Sequence, residues 1–102
     1  MDLSATLKAY SGRQVILDTA GSTVYLGTLM EVAETGFWLE NADIHDCSEG
    51  HAGKEAYVFA AKINGIRTNR KRLFVMRSAA ISIAVLDDVV QEDLGSSEQL
   101  AL

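Results

Sequence analysis

A chain of 102 residues and 11.0 kDa has room for one hydrophobic core and none for a second independent domain. At 48% apolar and 23% charged it has globular proportions, and no apolar run approaches the roughly 20 residues of a membrane span. A net charge of −5 works against non-specific binding to nucleic acid or anionic membranes, and a single cysteine excludes an internal disulfide and a four-cysteine zinc centre. With no basic and then apolar leader after Met1-Asp2, the expectation is a soluble cytoplasmic protein.

Proline is absent, so segmentation rests on glycine and periodicity. Residues 2–10 predict a short helix: Leu3, Leu7 and Tyr10 share one face, Asp2 or Ser4 can cap it, and Ser11-Gly12 ends it. Gln14–Thr19 predicts a first strand, with Val15 and Leu17 pointing one way and Ile16 the other. After the turn signal Ala20-Gly21-Ser22, Thr23–Val32 predicts a long second strand. There Val24, Leu26 and Thr28 alternate against Tyr25, Gly27 and Leu29, and Gly27 marks a bend or a close backbone approach. Glu34-Thr35-Gly36 is a turn, and Phe37–Ile44 a third strand.

Residues 45–53 are polar and contain glycine, and read as a loop. Lys54–Asn64 has a strand-like centre, Tyr57-Val58-Phe59, but its ending decides for a helix. Gly65 follows Asn64 and apolar Ile66 follows Gly65, as when a left-handed glycine closes a helix. Arg67–Arg72 reads as a basic connection, Leu73–Arg77 as a fourth strand, Ser78–Ala80 as a tight link and Ile81–Leu86 as a fifth strand. The expected domain is residues 1–90, with an insertion at 45–72 and an acidic, flexible tail at 91–102. Five short strands in so small a chain leave one face wet unless the sheet curls. The expected fold is mainly β: a small, strongly bent, five-stranded antiparallel barrel with an N-terminal helix and a second helix at 54–64.

Charge is unevenly distributed. Residues 56–86 hold six bases (Lys62, Arg67, Arg70, Lys71, Arg72, Arg77) and no acid, whereas residues 87–102 hold five acids and no base. Such asymmetry allows a basic face on an acidic protein, or two solvated faces of opposite sign.

Several segments carry a resemblance. Val15-Ile16-Leu17 is followed by Gly21 and then by Tyr25-Leu26-Gly27-Thr28-Leu29. Leu39-Glu40-Asn41-Ala42-Asp43 supplies an apolar residue and a short polar cluster. Phe74-Val75-Met76-Arg77-Ser78-Ala79-Ala80-Ile81 runs apolar into arginine and then isoleucine, and Leu86-Asp87-Asp88 closes the set. In this order, behind a helix, the segments resemble the Sm-like (LSm) family over residues 3–44 and 73–88. The resemblance implies a five-stranded bent barrel behind a helix, with open strand edges through which subunits form a ring. It also implies single-stranded RNA as a partner. The family's aspartate and base-holding asparagine or histidine are missing from Ala33–Trp38, Ser78 stands where the family has glycine after its arginine, and the insertion is long.

The resemblance makes Arg77 the pore-facing, base-contacting arginine; the competing reading pairs it with Asp87 or Asp88. Phe37 and Trp38 occupy the family's base-contacting segment and can stack on bases, or else pack in the core or at a subunit joint. Arg67, Arg70, Lys71 and Arg72 can hold phosphates, or form a solvated turn. Oligomerisation is expected through 73–77 and 81–86, whose backbone groups need partners. His45, Cys47 and His51 are conceivable zinc ligands, but a glycine-bearing loop fixes them poorly, so no metal is expected. With no phosphate-binding, dinucleotide or catalytic motif, no cofactor and no enzymatic activity are expected. The alternative to RNA binding is a scaffolding module of the same fold that docks another protein.

Overall fold

The computed structural model describes residues 3–49 and 53–91. The elements are α1 (Leu3–Lys8), β1 (Gln14–Asp18), β2 (Thr23–Ala33), β3 (Gly36–Asp46), α2 (Lys54–Asn64), β4 (Arg70–Met76) and β5 (Ser82–Val85). Single-turn 3-10 helices follow β3, β4 and β5 at Cys47–Glu49, Arg77–Ala79 and Leu86–Asp88. The strands form one antiparallel sheet in the order β4-β3-β2-β1-β5. The expected strongly bent five-stranded sheet with two helices is what forms.

The long β2–β3 ribbon changes register twice, between Leu26 and Thr28 and between Leu29 and Glu31. Such irregularities increase the local twist and bend the ribbon. The first lies at Gly27, where a Cβ would stand 3.1 Å from the Leu39 Cβ and 3.2 Å from the Ala42 Cα. The glycine predicted to mark a close approach does so.

Alternation along the bent strands divides the apolar residues between two cores. Val15, Leu17, Leu29, Phe37, Leu39 and Val75 fill the inside of the sheet, under Leu7 of α1, with Tyr10 packed beside them. Ile16, Val24 and Leu26 face the other way and are covered by Val58 and Ala61 of α2 and by Leu86. At about 1.5–3 kcal/mol for each fully buried aliphatic side chain, the second cluster contributes as much per residue as the first.

Four tethers seat α2 and the segment after it. Lys54 Nζ lies 2.6 Å from the Asp18 carboxylate and donates to the Thr19 carbonyl at 2.9 Å. Tyr57 donates its hydroxyl proton to Asp43 Oδ2. Asn69 donates to Asp43 Oδ1 at 2.9 Å and to the Ile44 carbonyl at 3.1 Å. Lys62 Nζ donates to the Val89 carbonyl at 2.5 Å. Gly65 ends the helix at the predicted position with φ +92°, but its ψ of 160° is extended rather than left-handed helical.

Element boundaries shift where polar residues lie on strand edges. His45 and Asp46, read as loop, end β3, because Asp46 pairs with Thr23 and its carboxylate accepts from Ser22 Oγ at 2.7 Å and from the Ser48 N–H at 2.9 Å. Arg70, Lys71 and Arg72, read as connection, form the start of β4, in register with Ala42 through Glu40. All three are exposed, so no apolar alternation marks them as strand. Arg77 lies just past β4, and Ile81 just before β5. The predicted acidic tail lies outside the described residues from residue 92 on.

Candidate nucleic-acid interface

The pairing of β3 with β4 sets two faces. Phe37 and Leu39 stand opposite Val75 and Leu73 on the inner face, so Trp38 and Glu40 stand opposite Phe74 and Arg72 on the outer one. Trp38, the chain's single tryptophan, is 38% exposed. Its ring is tilted 57° against Phe74 with centroids 4.9 Å apart. The Arg72 guanidinium carbon lies 5.7 Å from the Trp38 ring centroid, within cation–π range. Met30 of β2 joins them from the side, 47% exposed, and Met30, Trp38, Glu40 and Arg72 line an open recess of about 290 Å³.

Arg70 lies two residues along the same outer row, with its Nη1 donating to the Asn69 carbonyl at 2.8 Å. Among the described residues neither arginine is in an ion pair, but Glu40 stands opposite Arg72 and Glu31 lines the same recess, so the face carries acids as well as bases. The face thus offers an aromatic plane, a guanidinium plane beside it and a second cation along one strand. Stacking of an unpaired base with phosphate contact needs those three groups.

The other predicted site residues lie elsewhere. Lys71 alternates to the opposite side of β4 from Arg70 and Arg72, and is exposed. Arg67 lines a recess with Asp43, His45 and Tyr57. Asp43 is only 2% exposed there, and both its oxygens accept hydrogen bonds, from Tyr57 and from Asn69. The His45 ring stacks on Tyr57 at 3.6 Å, and the Asn69 amide oxygen accepts from the Ile44 N–H at 3.1 Å. Burial, then the bond to Asp43, holds the Tyr57 phenol protonated far above its usual range. With its bonds closed among themselves, this knot clamps the helix and its exit onto β3. Asp43 appears in the sequence only within a polar cluster, Tyr57 within a strand-like centre and Asn69 at the head of the basic run, with nothing to join them. The available signals were an acid in a strand and an asparagine interrupting a run of bases.

Arg77 lies just past the far end of β4 from Arg70, whose six strand steps to Met76 span roughly 20 Å. It does not pair with Asp87 or Asp88. Its backbone N–H donates to the Thr35 carbonyl at 2.7 Å, and its Nη2 reaches the Ala33 carbonyl at 3.5 Å. Its Nε is buried without a partner, and the side chain faces a recess shared with Leu7, Phe37 and Ile81. Phe37 is core; Trp38 is not. Cys47 packs half-buried against the α2 cluster, where burial pushes its thiol up, while His45 is engaged with Tyr57. His51 lies outside the described residues.

Among known proteins, no family model and no curated sequence matches the chain. Solved structures do match. One is the Sm protein of Pyrococcus abyssii in complex with a uridine heptamer, with a TM-score of 0.57 at 8% identity over 83% of this chain and 99% of that one. The chain has the Sm-like fold. The Sm-like heptamer of P. aerophilum is similar at a TM-score of 0.51 and 18% identity, over 81% of this chain and 90% of that one. A chain of the NatC complex bound to Gag peptide and CoA is similar at a TM-score of 0.53 and 17% identity, over 84% and 99%. At such identities the likeness is one of fold. In this Sm-like sheet β4 and β5 are the two edges, and each pairs with one neighbour strand. Among the described residues no helix is long and apolar enough to cross a membrane.

Proposed function

We propose that this protein is an Sm-like oligomer that binds single-stranded RNA in the cytoplasm, in RNA metabolism or regulation, without catalysis. The observation that carries the reading is the exposed Trp38 with the Arg72 guanidinium over its ring and Arg70 beyond it. A base stacks against the Trp38 side of the recess, and Arg72 and Arg70 meet the flanking phosphates. Lys71 lies on the opposite side of β4, and Arg67 and Arg77 line other recesses, so in a ring the three add contacts along a longer strand. Ring closure follows from the edges: β4 of one subunit pairs with β5 of the next, satisfying the outward backbone groups of both. The similar Sm proteins are heptamers or hold uridine, which supports the same assembly and ligand class here.

Trp38, as the single tryptophan, reports directly on the site. Titration with oligouridine and oligoadenosine should change its fluorescence saturably. Trp38→Ala should weaken binding by roughly 5- to 150-fold, the range of ~1–3 kcal/mol per stacked base. Fluorescence unchanged by RNA, with binding retained in Trp38→Ala, would remove this face from the reading.

A second reading keeps the fold and replaces RNA by a protein partner. It is favoured by the fold likeness to a chain of the NatC complex and by the net charge of −5. Nuclease-insensitive co-purification of one protein, with no RNA retained, would select it.

A further inference from the structure

Helix α2 is apolar on two opposite faces. Val58 and Ala61 are buried on the barrel. Ala56, Phe59, Ala60 and Ile63 follow one another at i, i+3, i+4 and i+7 and form the opposite stripe. Ala56 and Ala60 are exposed and Ile63 is 64% exposed. A helix with a single core-facing stripe does not need these residues, since solvated positions favour polar side chains.

The chain returns to this stripe at the end of the described residues. Val89 is fixed at the C-terminal part of α2 by Lys62, and packs on the cluster beneath the helix. Val90, 77% exposed, and Gln91 then line a groove of about 270 Å³ with Ala56, Phe59 and Ala60, and Glu55 stands at its acidic end. Gln91, the last described residue, therefore lies at the rim of the groove.

Residues 92–102, Glu-Asp-Leu-Gly-Ser-Ser-Glu-Gln-Leu-Ala-Leu, contain three leucines, three acids and no base. Eleven residues reach up to roughly 36 Å when extended. The whole of α2 spans only about 16 Å. Gly95-Ser96-Ser97 is a turn signal that permits reversal between Leu94 and Leu100. Direct attachment at Gln91 gives the segment a local concentration near the millimolar range typical of short tethers.

We propose that the occupant of the α2 groove is this chain's own segment 92–102. Leu94 fills the slot over Ala56 and Ala60, and Leu100 and Leu102 cover Phe59 and Ile63. Glu92, Asp93 and Glu98 stay outward in water. This pairing is independent of RNA binding, since the groove lies on α2 and the Trp38 face on β3–β4.

The test is methyl and amide NMR on the full chain, comparing wild type with Leu94→Ser/Leu100→Ser/Leu102→Ser and with Ile63→Asp. Ile63 is 64% exposed and outside both cores, and the barrel resonances serve as the folding control for all variants. The wild type should show contacts between leucine methyls and the Phe59 ring or the Ile63 methyls, unchanged on tenfold dilution. Each variant should remove them and lower amide exchange protection along residues 56–63 several-fold. Identical α2 spectra and exchange in wild type and the triple variant would overturn the proposal. So would Ile63 contacts that vanish on dilution, which would assign the groove to a second copy.

Discussion

At the scale of single residues, the strongest determinant is the buried Asp43 carboxylate with its two donors. Tyr57→Phe keeps the ring and its stack on His45 but removes one of those donors. It leaves Asp43 Oδ2 buried and unpaired, so a loss of about 1–3 kcal/mol is expected in chemical denaturation. A loss below a few tenths would mean that water replaces the hydroxyl. Asp46 provides a pH test. Hydrogen bonds from Ser22 and then from Ser48 lower its pKa from 3.8 to about 2. Because the folded value is the lower one, its stabilising contribution is complete above pH ~4 and is lost as pH falls through 2. The Ser48 amide resonance should titrate with a midpoint near 2 in wild type, moving up toward 3.8 in Ser22→Ala. A wild-type midpoint near 3.8 would show that the clasp does not form in solution. None of these roles was legible in the sequence: Asp43, Tyr57 and Asn69 are separated by 12 to 26 positions, and only the folded β3–α2–β4 path joins them.

At the scale of elements, Gly27 is where the β2–β3 ribbon bends. Gly27→Ala places a methyl 3.1–3.2 Å from Leu39 and Ala42, which must move apart inside a packed core. A destabilisation of about 1–3 kcal/mol is expected, read from the denaturation midpoint. A neutral result would mean that the ribbon shifts at little cost. The strands and α2 were legible because alternation, turn glycines and the Gly65 ending each act locally. Two features were not legible. The start of β4 is invisible because Arg70, Lys71 and Arg72 occupy an exposed edge, where burial imposes no alternation. The seat of α2 on Ile16, Val24 and Leu26 is invisible because it joins residues roughly 40 positions apart. The outer face of β1–β2 had been expected to be dried by curling alone; it is dried by a helix.

At the scale of the whole molecule, the sheet has a bent interior, a helix-covered outer face on one side and an exposed Trp38–Arg72 face on the other. Its β4 and β5 edges predict assembly. Light scattering at micromolar concentration should give a mass several times 11.0 kDa. A monomer would contradict the edge-pairing argument. The six bases that appear as one run of sequence are divided by the fold among separate surfaces, so the RNA footprint on one subunit is small. An oligomer multiplies it, and binding should be steeply salt-dependent.

The most direct measurement is fluorescence anisotropy of labelled U-rich and A-rich single-stranded RNA at two salt concentrations. It is made with the wild type and with Arg70→Glu/Lys71→Glu/Arg72→Glu. The wild type should bind with micromolar or tighter affinity that weakens steeply with salt. The variant should bind more weakly and with a flatter salt dependence. Absence of binding at low salt by folded wild-type protein would contradict the proposed function, and would leave the Sm-like fold here as a platform for protein partners.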